Sequence, residues 1–436
     1  DQEGCQGCKR LIGTYNKIFM TGVENMATIR SFRAYRPRPD VAGRVAALPY
    51  DVYNRQEAEI EVKREPLSFL KVDRAETSFG PDVDTYAPCV YDKAGQLLQG
   101  MIDDGTYIME RRPVYYIYEL IMDGRHQTGL VACSSIDDYM NGVIKKHENT
   151  REDKEIDRIK HVEACGAQTG PIFLAYRAID KVDEIIDRVK KGDKLYGFTS
   201  PDGITHNVWI IDGQEDIDTI RAAFEGVDDI YIADGHHRAA SAVKAGIHMR
   251  EKNPGYTGDE EFNYFLSVLF PHDQLMIMPY NRVVKDLNGH DKQEFMDEVS
   301  KIFDVTASDV PVEPQVKGQV GMYMDGSWYR LDVREGIVPD DVVGRLDVSV
   351  LQDNVLAPIL GIQDPRTDQR IMFVGGIRGL AELERLVDGG MAVAFSMYPT
   401  SITELFDIAD AGLLMPPKST WFEPKLRSGI FIHKID

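Results

Sequence analysis

Ile230-Tyr231-Ile232-Ala233-Asp234-Gly235-His236-His237-Arg238-Ala239-Ala240-Ser241-Ala242 is the stretch on which the fold reading turns. Its first residues favour a strand, Asp234-Gly235 breaks the run, and an alanine-rich helical segment begins at once. A strand that feeds straight into a helix is an α/β junction, foreign to an all-helical bundle or a β-sandwich. The first turn of such a helix has backbone N–H groups without intrahelical partners, and its dipole adds partial positive charge there. Gly235 lets a ligand approach the backbone, while His236, His237 and Arg238 add donors, so the junction suits a phosphate. Two other readings stay open: a buried histidine pair that only caps a helix, and a metal site. Adjacent histidines point apart, however, and no carboxylate-rich spacing completes a metal set.

Working outward, three Asp-Gly pairs mark hairpin tips. Asp123-Gly124 separates strand formers at 114–121 and 128–133. Asp202-Gly203 lies between 195–199 and 208–211, and Asp325-Gly326 between 319–324 and 328–333. Thr150 and Asp153 have capping-box spacing ahead of a helix carrying Ile156, Ile159 and Val162. Ser401 and Glu404 repeat it before 405–409, with Gly412 placed to end that helix. Strands and helices alternate from about Arg111, but hairpins interrupt them. The fold class expected is α/β (α+β) with mixed sheets rather than a doubly wound one. Residues 26–110 hold more Pro and Gly and read as a strand-rich region of short strands and loops. Residues 111–300 form the core that carries the junction, and 301–436 a C-terminal α/β region.

A chain of 436 residues exceeds one ordinary core, and its 43% hydrophobic content is that of a globular protein. The formal net charge of −21 disfavours nucleic acid and anionic lipid as partners. No apolar run approaches the roughly 20 residues of a membrane helix. Nothing at the N-terminus resembles a secretory signal, and five cysteines fit a reducing compartment, so the expected location is the cytoplasm. Cys5 and Cys8 form a Cys-x-x-Cys with nothing nearby to complete a zinc site. Residues 1–25 read as a disordered extension or a non-native start, because Met26 would begin an ordinary chain. A homodimer is compatible with the sequence and not demanded by it.

Three further segments carry chemistry-bearing residues. Lys145-Lys146-His147-Glu148-Asn149-Thr150 places Glu148 on a loop ahead of a helix. A carboxylate beside a phosphate site accepts a proton from an attacking hydroxyl, although a solvated charge run is the simpler reading of these residues alone. Phe373-Val374-Gly375-Gly376-Ile377-Arg378-Gly379 falls between a strand and a helix, as phosphate loops do, but matches neither the dinucleotide fingerprint nor the Walker pattern, and glycines there serve backbone geometry more often than ligands. Met415 to Lys425 is stiffened by three prolines and presents Lys418, Ser419 and Thr420. It reads equally as a nucleotide or acidic-substrate loop and as a packed loop anchored by Trp421.

Leu48-Pro49-Tyr50-Asp51-Val52, Pro66-Leu67-Ser68-Phe69-Leu70, His147-Glu148-Asn149-Thr150, the segment Ala233 to Arg238, and the loop from Met415 to Arg427 together resemble the domain of unknown function family 1015. The resemblance runs from Met26 to Asp436. The Asp-Gly-His-His-Arg segment also resembles the nucleotide-phosphate box of the ParB/sulfiredoxin-like fold, which small free-serine kinases share. The likeness implies a ParB/sulfiredoxin-like core within 111–300 and an ATP-dependent, Mg²⁺-using kinase that turns free L-serine into O-phosphoserine. In that analogy Glu148 and Asp234 are catalytic, and Gly235, His236, His237 and Arg238 hold the nucleotide phosphates. Lys418, Ser419 and Thr420 form a substrate or nucleotide loop, and metal ligands are left unspecified. The rivals are a non-catalytic nucleotide-binding regulatory protein and a ParB-like nucleotide switch. Sulfiredoxins need a cysteine where His236 stands, and DNA-partition relatives carry helix-turn-helix units that this acidic chain lacks.

Overall fold

The structure, a computed structural model, describes residues 26–436, so the expectations for residues 1–25 lie outside it. The fold is mixed α/β, built on two sheets. The first has nine strands in the order Ile144–Lys145, Ile230–Asp234, Ile172–Tyr176, Tyr264–Pro271, Arg125–Ser135, Tyr115–Met122, Thr205–Ile211 and Tyr196–Thr199, with Ile29–Arg30 added beside Arg125–Ser135. Two of its pairings are parallel, Ile230–Asp234 with Ile144–Lys145 and Tyr264–Pro271 with Ile172–Tyr176; the others are antiparallel.

Both faces of this sheet are covered, which is why Tyr115–Met122 reads as a nearly unbroken apolar run. Tyr115 and Ile117 pack on one side under the helices Asp180–Val189, Gln214–Phe224 and His236–Lys252. Tyr116, Tyr118 and Leu120 pack on the other, against Leu405 and Phe406 and the C-terminal residues Leu426, Ile430 and Phe431. That split is the period-two alternation of a strand.

The second sheet has six strands, all paired antiparallel, in the order Phe303–Ser308, Ser327–Val333, Gln319–Met324, Val393–Met397, Tyr280–Val284 and Ile371–Gly375. It begins at Tyr280, ahead of the division expected at 300. The chain then returns: Trp421–Phe422 pairs with Ile277–Met278, and His433–Lys434 pairs with Ala167–Gln168 on the first sheet's side. This return brings the Met415–Arg427 loop to the strand–helix junction at Asp234.

The three Asp-Gly hairpins form. Asp123 and Gly124 take φ of 51° and 78°, and Asp325 and Gly326 take 51° and 71°, the both-positive pattern of tight two-residue hairpins. At 202–203 only Gly203 is positive, at 83°, and the loop is longer. Ser401 and Glu404 form a full capping box on Ile402–Asp410, and Gly412 has φ 67° past its end.

Three expectations need correction. Residues 26–110 are mainly helical, with Arg55–Arg64 and Pro88–Asp103 the longest elements. Asn54 and Glu57 make a capping box on the first, and Pro88 sits in the first turn of the second, where the missing N–H is harmless. Val90, Tyr91, Ala94, Leu98 and Met101 form its buried stripe at helical spacing. Thr150 does not cap the next helix. Glu152–Cys165 starts after an extended Arg151 whose N–H donates to His237 Nε2 at 3.0 Å, so a tertiary bond sets the boundary. Nor does that helix turn Ile156 inward: Ile156 is 44% exposed, while Glu155, Asp157, Arg158, Ile159, His161 and Cys165 are buried. Its inner face is largely charged because it borders a cleft.

Candidate functional site

The strand Ile230–Asp234 ends in a register shift between Ile232 and Asp234, which re-aims the last residue. Gly235 follows with φ 94°, a left-handed conformation that glycine adopts without strain, and the helix His236–Lys252 starts immediately. The first intrahelical bond is Ala239 N–H to Gly235 C=O at 2.9 Å. The amides of His236, His237 and Arg238 precede it, and their N–H groups form the helix N-terminus that the sequence reading identified.

The side chains divide the work differently from the sequence expectation. Asp234 is already engaged: its Oδ1 accepts the Gly235 N–H at 2.9 Å and its Oδ2 pairs with Lys425 Nζ at 3.1 Å. Burial alone would raise its pKa, but Lys425 and Arg238 hold the carboxyl well below the usual range. A carboxylate fixed in this way is a poor proton acceptor. His236 is buried and edge-on to His147 at 4.4 Å between centroids; its Nε2 accepts the His147 N–H at 3.4 Å. Burial, then the neighbouring His147, push its pKa far down, so it is neutral. His237 accepts from Arg151. Arg238 donates from Nη1 to the Pro171 carbonyl at 2.7 Å and tucks its guanidinium under Gly235.

Two loops close over this junction. His147 C=O accepts the Met415 N–H at 2.8 Å, which ties the Glu148 loop to the proline-stiffened loop. Glu148 is exposed, with Oε2 3.8 Å from His236 Nδ1. Protein crowding raises its pKa, the nearby Lys418 opposes, and Asp234 adds to the rise. Lys418 is exposed at φ 55°, with its ammonium 5.8 Å from the centre of the Tyr280 ring. Ser419, by contrast, is buried and donates to the Pro416 carbonyl, so it stiffens the loop instead of facing a ligand. Thr420 is half-buried beside it. Trp421 packs flat against Gly375, where a Cβ would lie 2.9 Å from the ring, and Pro279 crowds Gly376 in the same way. The glycines at 375 and 376 are therefore packing residues.

Glu148, Arg151, His237 and Lys418 line one wall of a cleft of about 1280 Å³ that runs between the N-terminal helical region and the second sheet. The opposite end is built by Tyr50, Asp51, Arg74, Asp157, Arg158 and His161 from the N-terminal helical region and the helix Glu152–Cys165. Phe373 of the second sheet, with Lys285 and Arg366 from the segments flanking its strands, completes it. Arg74 clamps the Tyr50–Tyr53 turn, donating to the Tyr50 carbonyl at 3.0 Å and to that of Tyr53. Leu48-Pro49-Tyr50-Asp51-Val52 is legible in the sequence only as a carrier of family likeness, and Arg158 and His161 belong to no motif there. Charged residues at the expected inward positions of an amphipathic helix were the available signal.

Fold and site together define a mixed α/β protein whose strand–glycine–helix junction presents His237 to a large cleft. The chain belongs to the family of proteins of unknown function DUF1015, whose profile matches residues 29–349. No curated protein matches it. Among solved structures it is similar to a free serine kinase in complex with AMP, at 15% identity over 70% of this chain and 87% of the other, TM-score 0.32. A conserved hypothetical protein from Pyrococcus furiosus is similar at 15% identity over 70% and 94%, TM-score 0.32. SbnI with a C-terminal truncation, from Staphylococcus aureus, follows at 11% over 67% and 82%, TM-score 0.34. Among the described residues no helix is long and apolar enough to cross a membrane.

Proposed function

We propose that this protein is a phosphotransferase that moves the γ-phosphoryl group of ATP to the hydroxyl of a small acceptor, free L-serine. The observation that carries the reading is the helix that starts after Gly235: from its first turn His237 lines, with Glu148 and Lys418, a cleft large enough for a nucleotide and a second substrate. The likeness of Asp234 to Arg238 to a nucleotide-phosphate box supplies the choice of donor, and the free-serine kinases that share the box supply the acceptor.

In this reading the amides of His236 and His237 face the nucleotide phosphates, and Lys418 supplies a mobile positive charge. Arg238 and Asp234 act from beneath, fixing the Gly235 turn and Lys425. Glu148 accepts the acceptor's hydroxyl proton as the phosphoryl group is transferred, the role a raised carboxylate pKa suits. Among the described residues no group of three or more His, Cys, Asp or Glu forms a metal cage. Mg²⁺ carried by nucleotide phosphates needs only one or two carboxylates and waters, which the exposed Asp51 on the cleft wall fits.

Incubating the full chain with ATP, Mg²⁺ and a panel of free amino acids, and following products by ³¹P NMR, tests the assignment. O-phosphoserine and ADP are the expected products. Nucleotide binding with no transfer to any acceptor would instead support a non-catalytic regulatory protein.

A further inference from the structure

A second, smaller cavity of about 40 Å³ lies beneath Tyr50 and shares Tyr50, Asp73, Arg158 and His161 with the large cleft. It has room for roughly three waters. Its walls are charged to a degree that a packed interior avoids unless something is gained. Arg158 is buried, with its guanidinium 4.0 Å from the centre of the Tyr50 ring, and one edge pairs with Asp157 at 2.8–2.9 Å. Asp157 is held in turn by the Tyr91 hydroxyl at 2.8 Å. Arg158 Nη1 has no hydrogen-bond partner among the described residues.

Across the cavity stands buried Asp73. Its Oδ1 accepts from Thr169 Oγ1 at 3.0 Å and lies 3.8 Å from His161 Nε2, which donates to the Val72 carbonyl. Asp73 Oδ2 likewise has no hydrogen-bond partner among the described residues. Arg158 and Asp73 are not ion-paired with each other, and Arg238 adds a second guanidinium to the lining. One anionic wall and one cationic wall around a space of a few heavy atoms match a small molecule that bears both charges.

We propose that this cavity is a zwitterion site, where Arg158 receives the α-carboxylate and Asp73 the α-ammonium of a small free amino acid. The side chain of the bound molecule then leaves by the shared wall toward the cleft that holds Glu148. A one-carbon side chain reaches the cleft without filling it, so the geometry selects small amino acids over large ones. The inference deepens the phosphotransferase reading, and rests on it only in calling the bound molecule the acceptor.

The test is isothermal titration of the full chain with L-serine, ethanolamine and 3-hydroxypropionate, the last two lacking one charge each. L-serine should bind, and each analogue should be about ten- to a hundredfold weaker, as expected for loss of a charge-assisted contact. Gly170→Ala places a methyl group 2.9 Å from Ser428 Oγ and 3.6 Å from Arg238 Nη1, inside the cavity. It should weaken serine about tenfold or more while ATP affinity stays the same. Arg158→Lys, which keeps charge but loses the planar fork, should do likewise. Analogue affinities equal to that of serine, or unchanged serine affinity in a folded Gly170→Ala protein, would overturn the proposal. Serine binding without phosphoryl transfer would retain this site and sink the kinase reading. Transfer to another acceptor with no amino acid bound would do the reverse.

Discussion

Glu148 and Asp234 are two carboxylates near one junction whose surroundings push them in opposite directions. Asp234 is held far below the usual range by Lys425 and Arg238 against its burial, while crowding raises Glu148. A proton acceptor is more effective as its pKa approaches the working pH, and this supports Glu148 over Asp234 as the base of the proposed transfer. Glu148→Gln should lower kcat by about 10²- to 10⁴-fold and leave ATP affinity nearly unchanged. Because a base must be ionised, the wild-type rate should fall as pH drops through the raised Glu148 value, above the ordinary 4.5. Steady-state kinetics across pH checks both points; a variant turning over at the normal rate would remove Glu148 from the mechanism. Gly235 has a folding role of its own, whatever the junction binds. At φ 94° a Cβ is strained, and it would meet the Arg238 guanidinium at 3.0–3.2 Å. Gly235→Ala should therefore lose about 1–2 kcal/mol of stability in urea denaturation, before any ligand is added.

The helix Ile402–Asp410 shows how a locally coded element is turned to a distant purpose. Ser401 Oγ accepts the Glu404 N–H at 3.2 Å and Glu404 returns a contact to the Ser401 N–H at 2.9 Å. That box is readable in four residues of sequence. Its far end carries Asp410, which binds Lys145 at 2.7 Å, Arg177 at 2.9 Å and the Tyr231 hydroxyl at 2.7 Å, while Phe406 stacks on Tyr231 at 3.8 Å. The helix thereby clamps the strand that leads to Asp234, and no sequence spacing announces that contact. Ser401→Ala should destabilise the protein by about 1 kcal/mol, seen as a lower urea midpoint with an unchanged slope. No change in midpoint would mean that packing alone holds the helix. The helix Glu152–Cys165 teaches the opposite lesson. Its Thr150–Asp153 spacing is equally suggestive, yet the Thr150 hydroxyl donates to Glu155 and Arg151 answers to His237.

Across the whole molecule, buried titratable groups pull stability in opposite directions as pH falls. Burial lowers His147 to about 4 and His206 to about 3, so between about pH 6.5 and 4 the unfolded chain binds more protons there and acid weakens the fold. Burial raises Asp138 to about 7, with the Thr28 N–H bond opposing and Asp137 adding to the rise. For Asp138 the folded state binds the extra proton, so its contribution grows as pH falls from about 7 toward the unfolded value near 4. Asp138→Asn removes that titration with little change of shape. The melting temperature of wild type relative to the variant should rise steadily from pH 7.5 to pH 4.5; a constant difference would show that Asp138 does not titrate in this range.

What the sequence determined by itself was local. The Asp-Gly hairpins, the Ser401 cap and the strand–Gly235–helix junction are set by backbone propensity and bonds within a few residues, and they were legible for that reason. The helical N-terminal region has local signals as well, the Asn54–Glu57 box and the Pro88 start, yet its proline and glycine content gives it the look of short strands and loops. Only the tertiary structure decided which side chains share the site. Lys425 reaches Asp234 because the C-terminal segment returns to the first sheet, a separation of 191 residues. Arg158 and Asp73 face one cavity because the helix Glu152–Cys165 turns its charged side inward. Such contacts rest on long-range packing, whose loop-closure and desolvation terms no short window of sequence contains.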